Sequence, residues 1–167
     1  CVFICVSNFT KEQGIEAERY GQIDVIQPPF SMVNQSQREL MEWAHSQGID
    51  TMTYGSLGSG ILTGTIRTTP NFAENDLRLT FYDFYREPKF SKVMELLKTL
   101  DKIAEKHKRP VAQVAINWST QQPFVGTALV GVRNINEVAE NCAAFDWQLT
   151  GEDLAEIDAA LNKLQIG

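Results

Sequence analysis

The chain has 167 residues, 43% hydrophobic and 22% charged, with 15 basic against 21 acidic side chains for a formal charge of −6. That length holds one domain with a real core, and the composition excludes collagen, coiled coil and disorder. The acidic balance argues against a nucleic-acid binder, and no apolar run nears the roughly 18 residues a membrane span needs, so neither nucleic acid nor a membrane is expected as a partner.

The chain opens on CVFICV, and Val2 to Val6 reads as a short strand buried on both faces. Cys1 and Cys5 would share one face of it as small buried thiols. Three cysteines without a disulfide framework fit a reducing compartment, so a cytoplasmic location is expected. A start inside an apolar run reads as a piece of a longer protein. Thr10 with Gln13 forms a capping box opening a helix that runs to about Tyr20, and Gly21 ends it. Ile23 to Gln27 is a second strand, stopped by Pro28 and Pro29. Ser36 is placed to cap a helix over QRELMEWAHSQ, where Leu40, Met41 and Ala44 recur at helical spacing.

Ile49 to Tyr54 is strand-like again and feeds the glycine-rich stretch YGSLGSGILTG. Residues 65–90 hold turn formers, mixed charge and six aromatics without clean periodicity. So long a connection favours a functional lid or clamp. Lys89 to His107 reads as a helix with one apolar stripe, Pro110 opens another over VAQVAINWSTQQ, and Phe124 to Val130 is a fourth strand. Asn134 with Glu137 resembles a capping box for a helix through Ala144, and Thr150 caps the last helix. His45 and His107 fall near helix ends, where a cation complements the dipole. With two separated histidines and no CxxC, a metal site is not expected.

Strands alternating with helices predict a parallel sheet with helices outside it. Four βα units make either a small open sheet or half of a (β/α)8 barrel. Three stretches at strand ends are candidates to carry chemistry. YGSLGSGILTG matches neither the G-x-G-x-x-G fingerprint nor the P-loop, which leaves a ligand loop and a structural turn both open. VGVRN joins a glycine, an arginine and a helix start, as an anion site or an ordinary capped surface. Ser7-Asn8 binds something or turns the chain. In a barrel all three would converge.

VSNFT (6–10), the strand ending in Gln27, YGSLGSGILTG (54–64), IAEKHKRPVAQVAINW (103–118) and VGVRNINEVAEN (130–141) together resemble the aldo-keto reductases, in that family's order and spacing. The resemblance is to the second half of the family's barrel, from its fifth strand onward. It implies an α/β fold, the C-terminal half of a (β/α)8 TIM barrel with parallel strands and outer helices. Residues 1–167 then form a single partial domain, with the long 65–90 loop after the third strand present.

Carried over by position, it also implies a nicotinamide cofactor. Ser7, Asn8 and Gln27 fall on the carboxamide-binding residues, and Tyr54 on the aromatic that stacks on the ring. Leu57 and Ser59, with the loop backbone including Gly55, line the pyrophosphate. Gly131 and Arg133, with the 131–134 backbone, meet the adenosine 2′-phosphate, and Glu140 and Asn141 match adenine contacts. Gly55-Ser56 stands where the family often has Ser-Pro, which loosens the loop, and Val130 replaces a common proline. Glu137 stands where many relatives carry Gln or Arg, and a carboxylate beside a 2′-phosphate is unfavourable. NADP is the expected cofactor, and NAD stays open.

The family's catalytic Asp, Tyr, Lys and His belong to the first half of the barrel, and no segment of this chain corresponds to it. Tyr20, Tyr82 and Tyr85 do not fall in the motif. The resemblance therefore implies carbonyl-to-alcohol hydride transfer by a parent protein acting on a small carbonyl substrate. This chain would hold cofactor residues, lack the catalytic tetrad and be inactive alone. Open sheet edges and half an apolar interior call for the missing N-terminal half or a second copy. The alternative is a non-catalytic nucleotide-binding or regulatory half-barrel module.

Overall fold

The computed structural model describes residues 2–73 and 75–166. Among the described residues four short parallel strands, β1 (Cys5–Ser7), β2 (Val25–Gln27), β3 (Asp50–Thr53) and β4 (Thr127–Ala128), lie side by side in chain order. Parallel neighbours require a crossover to bring the chain back. Helices α1 (Lys11–Ala17) and α2 (Arg38–Ser46) make the first two. Between β3 and β4 come α3 (Arg78–Phe81), α4 (Lys89–His107) and α5 (Val111–Thr120), and α6 (Ile135–Cys142) and α7 (Gly151–Leu164) follow β4. The register sets Ser7 opposite Gln27 and Thr53 opposite Ala128, so the C-terminal ends of the strands share one edge.

The helices form where local signals place them. Thr10 and Thr150 each close a full capping box, with Gln13 and Asp153 respectively, which satisfies two otherwise orphaned backbone donors at each start. On α4, Phe90, Val93, Leu96, Leu97, Leu100, Ile103 and Ala104 are buried, the three- and four-residue spacing of one face. Burying a Val or Leu contributes about 1.5–3 kcal/mol, which outweighs the weak propensity of so charged a helix. Phe30 stacks on Trp118 and meets Phe124 edge-on, both at 5.5 Å, in the core beside the sheet.

The ends of α4 and α7 are braced together. Asp153, 2% exposed, accepts a hydrogen bond from Lys106 Nζ at Oδ1 (2.8 Å) and from Thr150 N (2.9 Å) and Thr150 Oγ1 (2.7 Å) at Oδ2, which also lies 2.7 Å from His107 Nε2. Burial alone would raise its pKa, but bonds from Lys106, Thr150 and His107 outweigh this and hold the carboxyl well below the usual range. His45 and His107 both sit in last turns, as expected.

Several expectations are corrected. Val2 (86% exposed) and Phe3 (71%) are not strand core; pairing starts at Cys5, and the Ile4 N–H donates to the Asp24 carboxylate at 2.7 Å. The reason is that β1 is an edge strand, paired only with β2 among the described residues. For the same reason Cys5 is exposed instead of buried; Cys1 lies outside the described residues. Ser36 caps nothing: its hydroxyl and N–H both go to Asn34 Oδ1, and Gln37 starts α2 without a side-chain cap. Asn134 does cap α6, but the Glu137 carboxylate turns to Arg133, leaving half a capping box. The fourth strand shrinks to two residues, because Phe124 is drawn into the aromatic core and Gly126 lies hard against Asp50, whose Oδ1 would be 1.8 Å from a Cβ there.

Candidate functional site

The residues that end the first three strands are joined by side-chain hydrogen bonds. Ser7 Oγ donates to the Gln27 carbonyl at 3.1 Å, and Asn8 Nδ2 donates to Ser7 Oγ at 3.1 Å. Tyr54, directly after β3, donates its hydroxyl to Asn8 Oδ1 at 2.8 Å. Asn8 occupies the left-handed region at φ +58°, which Asn tolerates better than most side chains. Gln27 Nε2 points at the Met52 sulfur, 3.3 Å away, a weak acceptor that a ligand oxygen easily replaces. Ser7, Asn8 and Tyr54 are exposed and Gln27 is half-buried, so the cluster offers amide, hydroxyl and aromatic groups to solvent.

The fourth strand end is tied in by a residue that pattern reading did not single out. Ser56, 1% exposed, donates its hydroxyl to the Leu129 carbonyl at 3.2 Å, and the Leu129 N–H donates to the Thr53 carbonyl at 2.8 Å. Those two bonds hold the glycine-rich loop beside the turn that leads to Gly131 and Arg133. Within the loop the glycines divide by role. A Cβ on Gly58 would sit 2.8 Å from Val33, and one on Gly64 would meet Arg67 and Val111, so both are packing positions. A Cβ on Gly55, Gly60 or Gly131 would meet nothing within 4 Å, which leaves open space against the backbone.

Arg133 starts the turn into α6 and is already engaged. Its backbone N–H donates to Glu137 Oε2 at 2.8 Å, and Nε and Nη2 donate to Oε1 at 3.2 and 2.8 Å. Those bonds lower the Glu137 pKa. The guanidinium remains 89% exposed, and its fork is turned inward on its own helix.

The structure thus brings Ser7, Asn8, Gln27 and Tyr54 into one cluster, with Gly55 beside it and Gly131 and Arg133 reached through Leu129. Leu57 is half-buried and packs onto the core. Ser59 sits at φ +51° with its carbonyl bonded to Tyr85. The Glu140 carbonyl accepts from Gln113 at 2.8 Å, and Asn141 is half-buried on α6. A cavity of about 320 Å3 lies elsewhere, between the loop after β2 and the 81–84 turn, lined by Val33, Tyr82, Phe84, Lys89 and Ile166. Its one charge pair, Asp83 with Lys89, is satisfied internally. Among the described residues no group of three His, Cys, Asp or Glu side chains is placed to hold a metal ion, and no helix is long and apolar enough to cross a membrane.

The model of the Aldo/keto reductase family matches residues 3–162. The chain is 30% identical over 160 residues to Aldo-keto reductase YhdN of Bacillus subtilis, covering 95% of this chain and 48% of that protein. Two further relatives are the NADH-specific methylglyoxal reductase of Escherichia coli (28% identical, 81% of this chain and 41% of that one) and Aldo-keto reductase yakc [NADP(+)] of Schizosaccharomyces pombe (25%, 86% and 42%). Among solved structures, the glycerol dehydrogenase AKR11B4 from Gluconobacter oxydans superposes with a TM-score of 0.87 at 29% identity, covering 96% of this chain and 49% of that one. The chain spans about half the length of the relatives it matches.

Proposed function

The chain belongs to the aldo/keto reductase family, and on that footing we propose that it is the C-terminal half of a (β/α)8 reductase barrel that holds NADPH across its strand ends, in the cytoplasm. The parent reaction is reversible reduction of a small carbonyl compound to an alcohol. The observation that carries this reading is the hydrogen-bonded chain of Ser7, Asn8, Gln27 and Tyr54 over three strand ends, where parallel α/β folds place ligands.

The donor set fits a nicotinamide dinucleotide. Ser7, Asn8 and Gln27 offer paired donors and acceptors to a carboxamide, and Tyr54, a residue 36% exposed, offers its aromatic ring. The space open above Gly55, Gly60 and Gly131 admits a phosphate close to backbone. When bound, such a cofactor supplies a hydride to the carbonyl carbon. This chain's residues orient the carboxamide, which selects the ring face presented, and shield one side of the ring from water. The acid that protonates the carbonyl oxygen belongs in this proposal to the other half of the barrel, so the chain alone is inactive.

Arg133 supports NADP over NAD, because its exposed guanidinium is a cation that could meet a 2′-phosphate. Glu137 opposes it. An exposed ion pair is weak, so releasing Arg133 from the carboxylate costs little, while NAD requires no such release.

Two exposed apolar regions support a need for the other half or a second copy. Val2, Phe3 and Ile4 lead into β1 at one edge of the sheet, and Val132, Ile135 and Val138 surround α6 beyond β4 at the other. The test is titration with NADPH and NADH while following Tyr54 and Trp fluorescence, alone and after the N-terminal half is supplied. Binding that appears with the other half, together with carbonyl reduction, supports the proposal. Saturable binding by the chain alone without turnover in either state favours the non-catalytic module, and no response in either state refutes both.

A further inference from the structure

The long aromatic segment after β3 is fastened to the glycine-rich loop at one strained residue. Gly58, Ser59 and Gly60 carry φ angles of +54°, +51° and +100° in succession. Glycine accepts such angles freely, but Ser59 has a Cβ and is strained there. Its carbonyl is held by Tyr85, whose hydroxyl donates to it at 2.9 Å from a ring only 1% exposed.

The Tyr85 ring is itself fixed. Phe72 meets it edge-on at 5.1 Å, and Phe84 packs at 5.3 Å. The Arg78 guanidinium lies 3.8 Å over the Phe72 ring and is gripped by Asp76 through Nε and Nη2. Behind the loop, Ile61 and Leu62 are fully buried, so residues 58–62 are held by the core on one side and by Tyr85 at the strained turn. Burial raises the Tyr85 pKa, which keeps the hydroxyl protonated as a donor.

We propose that Tyr85 is a positioning residue for the pyrophosphate loop: by holding the Ser59 carbonyl it keeps the 58–60 backbone in the left-handed shape that receives the dinucleotide phosphates. This role rests on the strand ends being a dinucleotide site, as proposed for the parent barrel. The 65–90 segment then acts on cofactor affinity without touching the reacting atoms.

Tyr85→Phe removes only the hydroxyl and keeps the ring packing. Hydrogen exchange on the whole chain is expected to show the amides of 58–62 exchanging about five- to tenfold faster in Y85F, the ordinary worth of one hydrogen bond, with β1–β3 unchanged. NADP+ dissociation constants, measured with the N-terminal half supplied, are expected to rise by a similar factor. The bond is to a backbone carbonyl and survives Ser59→Gly, so Y85F is expected to loosen 58–62 by a similar factor in the S59G background. Unchanged exchange at 58–62 in Y85F, in either background, overturns the proposal. If the loop loosens as expected but the wild-type protein binds no nucleotide, Tyr85 still holds the loop and the dinucleotide reading falls.

Discussion

Asp153→Asn tests the brace between α4 and α7. Asp153 is 2% exposed and takes bonds from Lys106, His107 and both Thr150 donors. An Asn in the same rotamer keeps one oxygen for Thr150 and so preserves the helix cap, but it loses the charge and turns an NH2 toward the Lys106 ammonium. Removing one member of a buried ion pair costs about 3–5 kcal/mol. Because the Lys106 side chain is 50% exposed, the expected loss is nearer 2–3 kcal/mol. For a chain of this size that is a fall of about 5–10 °C in melting temperature. The pH dependence has a definite sign. The folded carboxyl is held below the usual range, so its contribution is fully present above the unfolded value near 3.9 and is lost as pH falls toward the folded one. Chemical denaturation of wild type and variant between pH 7 and 3 should show a constant gap down to about pH 5, narrowing below about pH 4. A variant as stable as wild type at pH 7, or an equal gap at pH 3 and pH 7, would refute the reasoning.

Other substitutions probe the site and the sheet. Glu137→Gln removes the carboxylate that occupies Arg133, and is expected to tighten NADP+ binding several-fold with little change for NAD+; equal effects on both nucleotides would show that Arg133 does not meet the 2′-phosphate. Tyr54→Ala deletes both the ring and the bond to Asn8, so nucleotide affinity should drop at least tenfold, about 1.4 kcal/mol, and an unchanged titration would remove Tyr54 from the site. Gly126→Ala drives a methyl toward the exposed Asp50 carboxylate, 1.8 Å from Oδ1, which must rotate away from the Thr51 N–H, and should destabilise by about 1 kcal/mol in denaturant; a neutral result would mean that this bond contributes nothing to the β3–β4 contact. In sedimentation the chain alone should associate through its exposed strand edges, and a monodisperse monomer would count against the missing-half reading.

Much of the fold was legible because its causes are local. The capping boxes at Thr10 and Thr150 each lie within four residues, and the α4 stripe repeats at helical spacing, so both could be read without neighbours in space. The alternation of strands and helices likewise follows from period and punctuation, and it implies parallel pairing because each strand is followed by a crossover. The Val2–Val6 strand and the buried Cys5 were misread for a complementary reason: an apolar run reports the potential for burial, while burial itself depends on what lies across the strand edge.

The site was legible in a different way. Ser7, Asn8, Gln27, Tyr54 and Arg133 were named through a resemblance, and no local signal distinguished them from turn formers. Their assembly depends on bonds between distant residues: Tyr54 and Asn8 are 46 apart, and Ser56 and Leu129 are 73 apart. Tyr85 lay among six aromatics in an unpatterned segment, and only its approach to the Ser59 carbonyl separates it from the others. The sequence by itself determined the longer helices, the succession of strands along the chain and the residue types available at their ends. Only the tertiary structure decided which of those polar groups meet, because a hydrogen bond between strand ends is set by register and sheet order, and neither leaves a periodic mark on the chain.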